Sequence, residues 1–295
     1  MQSVAAWLVS RPQNGGLGLF VTLLLPFSQI FSGAVLVLLL LHNSIATCFF
    51  QVLLAIAGYF FLGIITDVTI TEIFLNIIVS WVPISLYAIT LNRTQSLALT
   101  LQISVIMAVL AALGFFIVLG DPIPYWNEVI RNVSNIFENS GFVQQSEILQ
   151  LQQDALAAQM TILVVLTTWS IYSLVLVLGN AAKNSLSNDK KLHDRFCDLN
   201  LGRVLATLAA IVSLLMFFTN SAWLQNIAVI AFMVFWLQGL SILHWFYENN
   251  SIPLMLLIVL YIMIPLLNAI AIILFALIGY TDAWFNYRSR IKKFR

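Results

Sequence analysis

The residues of this sequence able to do chemistry are few, and most stand among apolar neighbours. Gln238, His244 and Trp245 lie in QGLSILHWF, Asn268 lies late in the apolar run from Ile252 to Tyr280, and Asp282 lies in GYTDAWFNYR. A strongly polar side chain inside a membrane is costly unless it is paired or wetted, so these five are the candidates for ligand contact. On a helix Gln238, Ser241 and Trp245 share one stripe, and His244 sits one turn before Glu248. His244 and Asp282 are expected at similar depth, which sets a His244–Asp282 contact against the plainer reading of two unrelated residues near an aromatic belt. Asn268 falls where the last run is expected to turn, and backbone freed at a broken helix is a common ligand site in transporters. Asparagine there equally serves to satisfy those backbone groups itself. If the final helix continues past Asp282, then Asp282, Asn286 and Arg290 form one polar stripe.

Other polar residues invite simpler readings. Glu72 and Asn76 are one helical turn apart, with Asp67 just before them; they line an outward opening or, more simply, the acids cap a helix start. Gln102 and Asn226 are expected to bond between helices. Gly15-Gly16-Leu17-Gly18 lacks a preceding strand and a following lysine, so it reads as a flexible lead-in to the first apolar segment. Cys48 and Cys197 are the two cysteines, and neither number nor spacing suggests a disulfide framework or a metal site. No nucleophile and base, His/Cys metal cluster or phosphate-cradling loop is present, so the expectation is a protein that is not an enzyme and carries no metal or cofactor.

The elements that position these residues follow from composition. With 61% hydrophobic and 8% charged residues in 295, the chain has about a third of the charge of a soluble domain. It is expected to be an all-α, polytopic transmembrane bundle forming a single integral membrane domain over residues 1–295. About 20 apolar residues make one span. Runs of that kind fall at Ile45 to Ile64, Ile70 to Leu91, Leu97 to Leu119, Ala157 to Gly179, Leu201 to Thr219 and Trp223 to Phe246. Two longer runs, Gly16 to Leu41 and Ile252 to Tyr280, each contain a proline, Pro26 and Pro265, that favours a break.

Lysine and arginine stay on the cytoplasmic side of short loops. Lys183, Lys190, Lys191, Arg195 and Arg203 mark residues 180–203 as a basic cytoplasmic loop, and Arg288, Arg290, Lys292, Lys293 and Arg295 mark 285–295 as a basic cytoplasmic tail. Residues 120–156 carry five acids and Arg131 alone among bases, so this loop is expected outside. Parity then requires both long runs to double back as short halves, near Pro26 and near Pro265 to Asn268. The expectation is eight to ten crossings with both termini cytoplasmic. The N-terminus lacks the pattern of a removable signal peptide. Within the outer loop Trp126, Val129, Ile130, Val133 and Phe137 recur at helical spacing up to Asn139-Ser140-Gly141, and a polar helix from Val143 to Ala157 is expected to run into the next span. That pattern fits an amphipathic helix on the outer leaflet, or a lid over a cavity.

The segment from Gly279 to Arg288, with Gln238-Gly239-Leu240 and His244-Trp245 upstream, resembles the YybS-like family of bacterial multi-pass inner-membrane proteins. The family is similar to this chain in length, in doubled short segments, and in a last helix ending in an acid, an aromatic pair and an arginine cluster. Asn286 and Tyr287 stand where the pattern leads one to expect an acid and an aromatic, so no second carboxylate is carried over. The family has no established activity. The resemblance implies the bacterial cytoplasmic membrane and an architecture similar to substrate-binding components of energy-coupling-factor transporters and to the rod-shape protein MreD.

Two functional classes follow. One is a small-molecule-binding or transport component with polar contacts from Gln238, His244, Trp245, Asn268 and Asp282. The other is a non-transporting anchor or assembly factor for an envelope complex, docking through Lys190, Lys191, Arg195, Arg203, Arg288, Arg290, Lys292 and Lys293. The expected partners are the lipid bilayer, a membrane protein and an unidentified small molecule, but no nucleic acid.

Overall fold

The structure is a computed structural model and describes residues 2–66, 69–186, 195–219, 221–267 and 269–293. Every regular element among these residues is helical: α1 Gln2–Ser10, α2 Pro12–Leu23, α3 Ser28–His42, α4 Ile45–Ile65, α5 Ile70–Thr94, α6 Leu97–Leu119, α7 Pro122–Asn139, α8 Val143–Leu151, α9 Gln153–Leu186, a 3-10 turn Phe196–Asp198, α10 Gly202–Phe218, α11 Ala222–Met233, α12 Trp236–Glu248, α13 Leu254–Leu267, α14 Ala269–Phe285 and α15 Tyr287–Lys293. Five helices are long and apolar enough to cross a membrane: α4, α5, α6, α9 and the stretch Ala222–Glu248 that joins α11 to α12. The all-α, membrane-type reading holds at that level. The chain divides into two compact units, Met1–Ser104 with Ser170–Leu201 and Ser241–Leu257, and Val105–Trp169 with Gly202–Leu240 and Ile258–Arg295.

In the first unit the long run from Gly16 to Leu41 is broken, as the position of Pro26 leads one to expect. Helix α2 ends at Leu23 and α3 starts at Ser28, with Phe27 in the left-handed region at φ 59°. Proline supplies no N–H to bridge the gap. Helix α2 lies along α4 and α3 along α5. The glycine segment is not a flexible lead-in, because Gly15 and Gly16 lie inside α2. A Cβ at Gly15 would strike the side chain of Gln51, and one at Gly16 would come within 2.6 Å of Leu54, so these glycines admit α4 at close range. Small residues serve this purpose in lipid, where apolar burial gives no drive to associate and contact itself must supply the attraction. Helix α1 adds Ala5 and Leu8 to a small cluster with Leu38.

The second unit contains the expected outer-loop helix as α7. Its N-cap Asp121 accepts a bond from the Ile123 amide, and Pro122 sits at the first helical position, where a missing N–H costs nothing. Trp126 and Ile130 are buried against Ala157 of α9, and the Trp126 indole donates to Thr161 at 2.8 Å. Ser134 meets Ser146 of α8 at 2.8 Å. Part of the apolar stripe is therefore spent within the protein, while Val133, Ile136 and Phe137 stay exposed. The expected polar helix ends at Leu151, one turn residue before α9 begins.

The run Trp223 to Phe246 is not one uninterrupted helix. It bends at Val234 and Phe235, where α11 gives way to α12. Helix α14 crosses at this place: Cβ atoms at Gly279 and Gly239 would collide with the carbonyl oxygens of Phe235 and Phe275 respectively. The last apolar run is helical on both sides of Asn268, and the turn expected there lies outside the described residues.

The two backbones at this crossing leave no room for a side chain. Gly239→Val or Gly279→Val should each destabilise the protein by about 1–3 kcal/mol or more, the usual cost of overpacking. The change would be read as a lower thermal midpoint in detergent; Gly114→Val, with nothing near its Cβ position, should leave the midpoint unchanged.

Candidate functional site

The glycine crossing sets up the most polar buried contact in the second unit. Gly239 places Gln238 of α12 beside α14, and one turn beyond Gly279 stands Asp282. Gln238 and Asp282 are both 0% exposed, and Arg288 is 7% exposed. Helix α14 stops at Phe285 because Asn286 turns into the left-handed region, φ 48°, with its amide bonded to the Asp282 carbonyl at 2.8 Å. The turn folds α15 back over the acid. Asp282 Oδ1 accepts the Tyr287 backbone N–H at 2.9 Å, while Oδ2 accepts from the Arg288 guanidinium at 2.8 Å and from Gln238 Nε2 at 2.9 Å.

Three donors, one of them cationic, compensate the carboxylate for the water it has lost. The arrangement departs from the sequence expectations in two ways. Asp282, Asn286 and Arg290 do not line one helical stripe, since the helix breaks at Asn286. Arg288, expected among the bases available for docking, is consumed inside the protein. What the arrangement does chemically is neutralise and fasten: it holds the end of α14, the start of α15 and α12 at one point.

The remaining candidates are spread more widely. His244 and Trp245 belong to the first unit, the former edge-on to Phe196 with ring centroids 5.3 Å apart, the latter buried. The described partners of Asp282 all lie in its own unit. Asn268, Lys190, Lys191 and Asp67 lie outside the described residues. Arg195 pairs with Asp198 at 2.9 Å and with Glu248 at 2.8 Å, both partly exposed contacts of small energetic weight. Arg203 donates to the Trp284 carbonyl at 3.4 Å, Arg290 lies over the Phe285 ring, and Lys292 and Lys293 fall in the last turns of α15.

Two further expectations change. Asn226 bonds the Ala222 carbonyl of its own helix, and among the described residues its buried Oδ1 has no hydrogen-bond partner. Gln102 reaches the carbonyl of Leu201, the residue just before α10, at 2.8 Å. The Cys197 thiol donates to Glu248 at 3.1 Å. Burial first, then the bond to Glu248, push this thiol up to about 12.

Sequence reasoning missed a second polar cluster, in the first unit. Glu72 forms a capping box with Thr69, with bonds of 3.2 and 3.3 Å, and so takes the plainer of its two readings. Asn76 does not. Its Oδ1 accepts from Ser28 and Ser80, each at 3.1 Å, and its Nδ2 donates to Tyr59 at 2.7 Å. Ser32 one turn along α3 accepts the Trp81 indole N–H at 2.8 Å. This uncharged network sits beside the break between α2 and α3. Asn76 is six residues from the start of α5 and Tyr59 six from the end of α4, so the network lies about 9 Å along each helix from that end. Pro26 has no N–H, and the chain turns at Leu24 and again at Pro26 and Phe27 before α3 begins. Leu24 to Phe27 are exposed. Asn76 stood out in the sequence one turn after Glu72, but Ser28 and Tyr59 carried no signal, because the three residues come from three helices.

Among the described residues no three His, Cys, Asp or Glu side chains gather as a metal site requires. No family model matches the chain, and neither a curated protein nor a solved structure matches it.

Breaking a buried ion pair leaves an uncompensated charge, whereas removing both partners does not. Asp282→Leu and Arg288→Leu should each cost about 3–5 kcal/mol, and the double variant should cost less than the sum, as measured by a double-mutant cycle on thermal or denaturant unfolding. Cys197 should resist maleimide at about pH 8, where an ordinary thiol reacts readily, and Glu248→Gln should raise its labelling rate by removing an acceptor and a negative charge.

Proposed function

We propose that this chain is a multi-pass membrane protein that binds or transports a small neutral solute at the break between α2 and α3. The observation that carries the reading is the interruption between α2 and α3 beside the uncharged Ser28–Tyr59–Asn76–Ser80 network, whose Asn76 and Tyr59 lie about 9 Å along α5 and α4 from their ends. Irregular backbone at membrane depth is tolerated where it is buried in protein or lines a wet cavity, and discontinuous helices of this kind form the solute sites of many transporters. Serine, tyrosine and asparagine offer both donors and acceptors and no charge, which suits a hydroxyl- or amide-bearing neutral molecule rather than an ion.

The C-terminal candidates take another part in this reading. Gln238 and Arg288 both donate to Asp282, so they are assigned a structural role and the solute contact moves to the first unit. The proposed threading keeps eight to ten crossings with both termini cytoplasmic, so the break opens to the outer face. The resemblance of GYTDAWFNYR to the YybS-like pattern supports a place in the bacterial cytoplasmic membrane.

Small molecules released from protein purified out of native membrane identify the solute by mass spectrometry. The expected result is one polar, uncharged compound enriched over a mock preparation and retained about tenfold less by Asn76→Ala, the loss equivalent to one or two hydrogen bonds. Recovery of lipid alone, or of a compound that Asn76→Ala holds as well as the wild type, would refute the reading and favour an anchoring role.

A further inference from the structure

The end of α14 carries a second arrangement of charge, independent of any solute in the first unit. Arg203, near the start of α10, donates to the Trp284 carbonyl at 3.4 Å. Arg290 of α15 lies 5.7 Å from the centroid of the Phe285 ring. The two guanidinium groups are thus held at adjacent residues, one by a helix-terminal carbonyl and one by an aromatic face. Both arginines are exposed, as are Trp284 and Phe285. Among the described residues neither Arg203 nor Arg290 has a carboxylate partner. The acid nearest in sequence, Asp282, is already neutralised by Arg288. The charge at this point is therefore net positive, and Lys292 and Lys293 lie on the same short helix.

Each guanidinium has five N–H donors and spends few of them on these contacts, leaving a planar fork that matches the oxygens of a phosphodiester. Exposed tryptophan and phenylalanine beside the cations mark the level at which a lipid headgroup meets its acyl chains. We propose that Arg203 and Arg290, flanking Trp284 and Phe285, bind the headgroup phosphate of an anionic phospholipid. Phosphate is common to all phospholipids, but a zwitterionic headgroup brings an ammonium into the same positive field, so selectivity for a net negative headgroup follows from the missing carboxylate partners. The structural role of Arg288 sharpens the point: the buried pair fixes where α15 starts, and so holds Arg290 over Phe285.

The test is native mass spectrometry of the full chain in detergent, incubated in turn with phosphatidylglycerol and with phosphatidylethanolamine. Wild type should retain phosphatidylglycerol about tenfold better. R203A/R290A should lose that preference, whereas R93A, which removes an exposed arginine from the last turn of α5, should keep it. Excess inorganic phosphate should leave the bound lipid in place. Equal retention of both lipids by wild type, an equal loss in R93A, or displacement by inorganic phosphate would each overturn the proposal, the last by assigning the site to a soluble anion.

Discussion

In hydrocarbon a polar group has no solvent to fall back on, and the Asp282 carboxylate shows how the second unit answers that constraint. Three donors converge on it from α12, from the backbone at the start of α15 and from Arg288. None of these would be in place without the others. Gln238 arrives because Gly239 and Gly279 let α12 and α14 approach to backbone contact. The Tyr287 amide and Arg288 arrive because Asn286 ends α14 and reverses the chain. A single buried charge thus ties packing, helix termination and the course of the tail together.

In the first unit the network around Asn76 answers the same constraint without charge. Its side chains are neutral, and Asn76 joins three helices by accepting two hydroxyl bonds and donating to a third. Beside this network the helix is interrupted at Pro26, which supplies no N–H, and Leu24 to Phe27 are exposed. An ion pair consumed by its neighbours is suited to holding a fold, whereas an exposed chain break beside neutral hydroxyl and amide groups is suited to receiving something. That contrast places the proposed solute contact in the first unit.

Much of the fold was legible in the sequence, because hydropathy and proline position speak directly to helices in lipid. The break near Pro26, the outer-loop helix from Pro122 and the capping role of Glu72 all follow from local rules of composition and spacing. The interruption at Val234 was hidden, since nothing local marks it and the approach of Gly279 is a long-range contact. The site was less legible still. Asp282 and Gln238 stood out as polar residues in apolar runs, but Arg288 read as one more base of a topological cluster. Only the left-handed turn at Asn286 brings it back to the acid. Ser28 and Tyr59 are common residues in their settings and gain meaning only once three helices are assembled around Asn76.

The central claim is that the chain break between α2 and α3 is wet. Labelling of single cysteines in sealed vesicles by a membrane-impermeant maleimide tests it directly, since native Cys48 and Cys197 are both buried. Phe27→Cys should label at a rate close to that of Ser140→Cys in an exposed loop, while Ile78→Cys, exposed at similar depth on α5, should stay unlabelled. A Phe27→Cys protein as inert as Ile78→Cys would show that the break faces lipid or is sealed, and would contradict the account.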